Sequence, residues 1–251
     1  MILQKLYRRI DSIFITIRTT LRILFRWNLK KVVGVVILAK SDSKVAIRLT
    51  QMCVNSLIAL NSTTVRVVVV ESGSRNDYRN AEVIIPNIPF AYNEFMCIGI
   101  EHLRDKFSPD FFLLMNNDVI VLPRSVDYMV CSGIASVSPI DPTGTEQSSI
   151  RRPTKGYSIR YHVLGWALFL RSDLITRFGS AGLFPHDIRF YWQDNYFADF
   201  LEYHGIDHYV MPNAKMIHLE SASTTPDISE QMENNGDYRV YLDKIESLRK
   251  L

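Results

Sequence analysis

The 251-residue sequence predicts an α/β domain, a mainly parallel central sheet flanked by helices. Three observations carry that reading. Residues 32–39, 65–70 and 111–115 are short runs that are apolar almost throughout, as strands buried on both faces are. Helical segments, at about 45–60 and 93–106, alternate with them, so consecutive strands join by right-handed crossovers. Each run also stops at polar residues: Lys40-Ser41-Asp42-Ser43, then Glu71-Ser72-Gly73-Ser74, then Asn116-Asn117-Asp118. Polar groups just past the carboxyl ends of parallel strands lie where open α/β sheets bind their ligands.

Residues 1–31 read as a separate amphipathic basic helix. Ile10, Ile13, Phe14, Ile17, Leu21, Leu24 and Phe25 share one face, and Arg18, Arg22 and Arg26 form a stripe at i, i+4, i+8 on another. Three readings stay open: packing on the body with solvated arginines, peripheral contact with an anionic membrane, and contact with a nucleic-acid backbone. The main domain spans residues 32–223. A short strand at 83–85 precedes the helix at 93–106. Beyond Pro123 the periodicity loosens, no clear helix is expected to start there, and residues 139–160 read as a long polar surface loop. Order returns at 163–170, then a helix at about 193–204, then short strands around Tyr209 and Met216. Residues 224–251 form a polar tail ending in a helix from Tyr238.

The bulk numbers exclude several classes. A hydrophobic content of 47% supports one sizeable core, and a net charge of +3 is too mild to announce a dedicated nucleic-acid binder. The three cysteines have no metal-ligand spacing and read as reduced core residues, which suggests the cytoplasm. No apolar run is long enough to cross a bilayer, and no signal peptide is apparent. G-x-G-x-x-G after the first strand, G-x-x-x-x-G-K-[ST] and G-x-S-x-G are all missing, which removes the dinucleotide, P-loop and α/β-hydrolase readings. Without a glycine-rich cradle, a bound diphosphate needs a cation. A carboxylate flanked by neutral amides, as Asp118 is, can hold a hard divalent ion without accumulating repulsive charge.

Taken in order, these residues resemble the glycosyltransferases of the GT-A fold, family-2-like members most closely. The opening strand with Lys40-Ser41-Asp42-Ser43 and the Val-Val-Glu-Ser stretch are also similar to small transferases of tailed phages. Tyr92-Asn93-Glu94 resembles the start of the helix beside the donor, and Asn116-Asn117-Asp118 resembles the metal motif. Gly165-Trp166 resembles the acceptor-side strand, Gln193-Asp194 the segment whose Asp is the general base, and Pro212-Asn213-Ala214 through His218 the ending whose His is a metal ligand. The resemblance implies a metal-dependent, inverting transfer of a sugar from a nucleotide-sugar donor, a UDP-sugar first, to an acceptor hydroxyl. It assigns Lys40, Asp42, Glu71, Asn93, Asn117 and Asp118 to the donor. Asp118 and His218 would hold Mn²⁺ or Mg²⁺, and Asp194 would be the base. Gly165, Trp166 and Arg152 would meet the acceptor, either a hydroxymethylated base in double-stranded DNA or a glycan or lipid-linked sugar.

Plainer roles compete for the same residues. Asp194 can cap its helix, Glu71 can simply end a strand, and His218 and Trp166 can be core residues. A non-catalytic sugar- or nucleotide-binding module, or a sugar nucleotidyltransferase, are the alternative functions; the second lacks its glycine-rich basic signature here. Three departures stand out: Asn116 replaces a carboxylate, Gln193 replaces a Glu, and Ser72 stands where relatives have a second Asp. Fewer formal charges weaken an empty metal site, so tight metal binding is expected to await the donor diphosphate.

Overall fold

The computed structural model describes residues 31–59, 63–73, 76–144, 149–159, 161–219 and 236–250, together with Ile15, Thr16 and Thr19. The basic helix expected over 1–31 lies outside the described residues apart from those three and Lys31, as does the first part of the tail.

The expected β-α-β order is present. Strand β1 (Val32–Ala39) leads through helix α1 (Lys44–Ala59) to β2 (Thr64–Glu71) and β3 (Glu82–Ile84), then through α2 (Tyr92–Phe107) to β4 (Phe111–Asn116). These four strands pair in parallel in the order β3-β2-β1-β4. Because successive side chains point to opposite faces, Val36, Leu38, Val68, Val70, Phe112 and Leu114 pack into one core cluster. Val33, Val35, Ile37, Val67, Val69, Leu113 and Met115 pack into the other. Helix α2 lies close on the first face because Gly99 has no Cβ; one added there would drive into Val36.

The second half departs from the expectation. Strand β5 (Val119–Val121) is followed by helix α3 (Ser125–Ser132), just past Pro123, where none was expected. Its start is not signalled by an ordinary cap: Arg124 takes φ of 65°, and the buried Ser125 hydroxyl donates to the Lys215 carbonyl at 2.7 Å. Tertiary contact, with Val126, Met129 and Val130 buried, wins over weak local propensity. The expected loop at 139–160 is shorter, because β6 (Ser136–Ile140) takes its beginning and β7 (Thr154–Lys155) pairs with the last long strand. Next come β8 (Ala167–Arg171), α4 (Ser172–Phe178), α5 (Ser180–Leu183) and α6 (Gln193–Tyr203). The two short strands expected around Tyr209 and Met216 are one, β9 (His208–His218), of 11 residues. Pro212 survives in it because the pairing with β6 shifts register between Ser138 and Ile140, and a bulge tolerates a missing N–H. Helix α7 (Asp237–Arg249) closes the described chain and packs on α6.

The sheet is therefore mixed rather than mainly parallel. Its order is β3-β2-β1-β4-β8-β6-β9-β5, with β7 on β9. Strand β8 runs antiparallel to both β4 and β6. The chain reaches β8 at the carboxyl end of β4, where the Asn116 N–H donates to the Trp166 carbonyl at 3.1 Å, and then runs back down. Cys53, Cys97 and Cys131 are buried thiols, none joined in a disulfide. No helix among the described residues is long and apolar enough to cross a membrane.

Candidate active site

Strand order reverses between β1 and β4, and the carboxyl ends at such a switch point are the place where open sheets take ligands. Asp118 sits there, 2% exposed, as the second residue of the turn that follows β4. Pairing of Val119 with His218 across β5 and β9 brings residues 100 positions apart together, and His218 Nε2 lies 3.4 Å from Asp118 Oδ1. Two backbone bonds fix this end of β9: the His218 N–H donates to Asp141 Oδ2 at 3.0 Å, and the Leu219 N–H to the Asp118 carbonyl at 3.0 Å. The Trp166 ring lies flat on the imidazole, with centroids 5.2 Å apart and 9° between planes.

Asp194 enters from the other side as the second residue of α6. Its residue is partly covered, but Oδ1 is sealed from solvent with no hydrogen-bond partner. Gly165 lies against the carboxylate so closely that a Cβ would overlap it. Burial pushes the Asp194 carboxyl up to about 6, with the Gly165 backbone pulling the other way.

Between the two halves stands Tyr92, the first residue of α2. Its hydroxyl donates to the Gly165 carbonyl at 2.7 Å and reaches Asn116 Oδ1 at 3.4 Å. Burial, then the charges of Asp194 and Asp118, raise its hydroxyl far above the ordinary tyrosine range, so it stays protonated. Tyr92 thus lies within electrostatic reach of both carboxylates. Tyr92 was not among the residues expected in the site; its only signal in the sequence is an aromatic hydroxyl opening a helix beside polar strand ends. Asp141, which bonds the His218 backbone and the Thr143 N–H, was hidden inside the supposed loop.

The remaining candidates scatter. Lys40 and Asp42 lie on the exposed turn after β1, 3.9 Å apart. Glu71 is fully buried: Oε1 accepts from the Ser41 and Gly73 N–H groups, both at 2.8 Å, and Oε2 accepts from the Tyr78 hydroxyl at 3.0 Å. Its carboxylate thereby ties the loops after β1 and β2 together. Asn93 is buried as well, donating to the Pro185 carbonyl at 2.9 Å with its Oδ1 unpartnered. Asn117 turns into the interior and donates to Thr50 Oγ1 at 2.9 Å. Arg152 is exposed on the loop before β7, and the structure does not tie it to the cluster. Asn117→Ala should therefore cost about 0.5–1.5 kcal/mol of stability in a denaturant melt, since it removes one buried hydrogen bond to the Thr50 hydroxyl, which keeps its own bond to the Ala46 carbonyl, while donor affinity changes less than twofold.

Among the described residues, no group of three or more His, Cys, Asp and Glu side chains is arranged to hold a metal ion. Asp118 and His218 still fit a two-ligand set. Two donors each about 2.1 Å from one ion, roughly at right angles, stand about 3 Å apart, close to the 3.4 Å seen. Oxygen with imidazole suits Mn²⁺.

No protein family known from sequence matches this chain, and no curated protein matches it. Solved structures do match. S. aureus TarS superposes with a TM-score of 0.53 at 13% identity over 72% of this chain; the chain spans only 36% of that protein's length. The mannosyltransferase PcManGT from Pyrobaculum calidifontis, in complex with GDP-Man and Mn²⁺, superposes with a TM-score of 0.54 at 12% identity, over 94% of this chain and 84% of that one. At such identities what is shared is the fold, a central mixed sheet flanked by helices of the GT-A-like glycosyltransferase type.

Proposed function

We propose that the chain is a metal-dependent glycosyltransferase moving a sugar from a nucleotide-sugar donor to an acceptor hydroxyl, with inversion. One observation carries the reading: at the sheet's switch point Gly165 lies against a sealed carboxylate suited to a proton, while the adjacent Trp166 lies on the His218 of an Asp–His pair suited to a cation. The fold shared with a mannosyltransferase solved with GDP-Man and Mn²⁺ supports a nucleotide-sugar donor.

Asp118 and His218 would hold Mn²⁺ or Mg²⁺, which when bound supplies Lewis-acid stabilisation to the departing diphosphate. Lys40 and Asp42, on the exposed turn, would meet the nucleotide. Glu71 acts on the donor side by bracing that turn. Asp194 takes the proton from the attacking hydroxyl, a role for which a carboxyl near 6 is well matched at neutral pH. Tyr92, held protonated, cannot compete as a base; it fixes the Gly165 carbonyl. A single displacement from the side of Asp194 inverts the anomeric carbon.

The test is a thermal-shift panel of UDP-glucose, UDP-N-acetylglucosamine and GDP-mannose, each with and without Mn²⁺. A donor at a hundredfold its Kd stabilises by about 2.7 kcal/mol. One donor should raise the melting temperature, and more so with Mn²⁺. Asp118→Asn and His218→Ala should each abolish the Mn²⁺-dependent part while leaving a smaller nucleotide-only shift. If no donor moves the melting temperature with or without metal, the glycosyltransferase reading fails. For the acceptor, a salt titration of duplex-DNA binding separates a modified base from a glycan, because phosphate contacts give affinity a steep salt dependence.

A further inference from the structure

The C-terminal helix looks dispensable in sequence, a polar appendage beyond the core. Its first residue contradicts that. Asp237 is 2% exposed, and its carboxylate accepts three consecutive backbone N–H groups: Arg189 at 3.1 Å on Oδ1, and Phe190 at 2.7 Å and Tyr191 at 2.9 Å on Oδ2. Charge-assisted bonds of this kind are the strong ones. The segment they hold leads straight into Trp192 and α6, where Asp194 is the second residue. Trp192 has φ of 66°, a conformation that bulky residues adopt only when their surroundings impose it. What imposes it is again α7: the indole packs on Tyr238 and Tyr241, with centroids 4.5 and 5.3 Å away. The same segment reaches back to the site, because the Arg189 carbonyl accepts the Tyr92 N–H at 2.6 Å.

We propose that Asp237 is a positioning residue for the base, and that α7 belongs to the catalytic apparatus. The inference rests on the reading of Asp194 as the base. Asp237 fixes residues 189–191, which forces Trp192 into its left-handed turn and sets the direction in which α6 starts. That direction presses the Asp194 carboxylate onto Gly165. Without the carboxylate, three partly buried N–H groups lose their acceptor. The segment then relaxes first at its strained point, Trp192, and Asp194 withdraws from Gly165. Misplacement of a reacting group by about 1 Å costs roughly a hundredfold in rate.

The experiment uses the full chain and Mn²⁺-dependent hydrolysis of whichever panel sugar nucleotide stabilises it, with water as acceptor. Asp237→Asn puts an amide N–H₂ against backbone donors. It should lower kcat by about 10- to 100-fold with the donor KM within twofold. On an Asp194→Asn background it should lower kcat no further, because residues acting through one group are not additive. Asp173→Ala removes the partly exposed Arg171–Asp173 ion pair, at 2.6 Å, on α4 and should leave kcat unchanged. Asp237→Glu, which keeps the charge but displaces the oxygens, gives an intermediate loss and serves if the Asn variant does not fold. Carbon-13 NMR of the Asp194 carboxyl reads the displacement without any donor: its titration should move toward the ordinary aspartate range in either variant. A folded Asp237 variant with wild-type kcat and an unmoved Asp194 titration would overturn the proposal, as would a loss carried by KM alone. If instead Asp194→Asn itself hydrolyses donor at the wild-type rate, it is the base assignment that falls.

Discussion

Replacing Asp194 by Asn should lower sugar transfer by two to four orders of magnitude, the range that a positioned general base contributes. The Mn²⁺-dependent thermal shift given by the donor should survive, because the cation pair belongs to the turn after β4 and the end of β9, and Asp194 to α6. The wild-type profile of kcat against pH should rise through an acidic limb near 6, where the Asp194 carboxyl ionises, and the Asn variant should lose that limb. Stability gives an independent check with a definite sign. The folded carboxyl titrates at about 6 against an ordinary 3.8, so the proton is held more tightly in the folded chain. Its stabilising effect is therefore complete below about pH 4 and is lost as pH rises through 6. A shift of about 2 units corresponds to roughly 2–3 kcal/mol. Asp194→Asn should thus be more stable than wild type at pH 8, and the difference should shrink toward pH 4. Equal donor hydrolysis by wild type and variant, with donor bound by both, would leave a binding module rather than an enzyme.

The parts of this site that were legible in the sequence are those encoded locally. Asp118 follows an apolar run and Asp194 opens a helix, so each announces itself by its neighbours. His218 could be tied to Asp118 only through the resemblance, since their approach depends on the antiparallel pairing of β5 with β9. The first half of the fold was readable for the same reason: strands buried on both faces are apolar throughout, and helices alternate with them. The second half was not. Helix α3 forms after Pro123 on the strength of burying Val126, Met129 and Val130, and no local signal outweighs the proline. Glu71, Asn93 and Asn117 show the converse limit. Their positions at strand and helix ends suggest ligand contact, but which way a short polar side chain turns depends on partners such as Tyr78, Pro185 and Thr50, which lie 7, 92 and 67 residues away.

Gly165→Ala should separate activity from stability more sharply than any other single change. The methyl group would overlap the Asp194 carboxylate, and the three atoms nearest to it all belong to that carboxylate. Gly165 is not among the residues with positive φ, so the backbone itself tolerates alanine. The carboxylate can rotate away at small cost, and we expect a stability change of about 1 kcal/mol or less, below the usual cost of overpacking a rigid core. The same rotation removes the base from its seat. Transfer should fall at least about a hundredfold, and the acidic limb of the pH profile should drop below 6 as the displaced carboxyl meets water. The Gly165 carbonyl holds Tyr92 and the adjacent Trp166 lies on His218, so donor binding reports whether the disturbance spreads. An unchanged Mn²⁺-dependent donor shift confines it to the acceptor side. On an Asp194→Asn background the alanine should cost nothing further in rate. A Gly165→Ala enzyme with wild-type kcat and an unmoved acidic limb would mean that the contact between Gly165 and Asp194 lies away from the reaction, and the base would have to be sought elsewhere at the switch point.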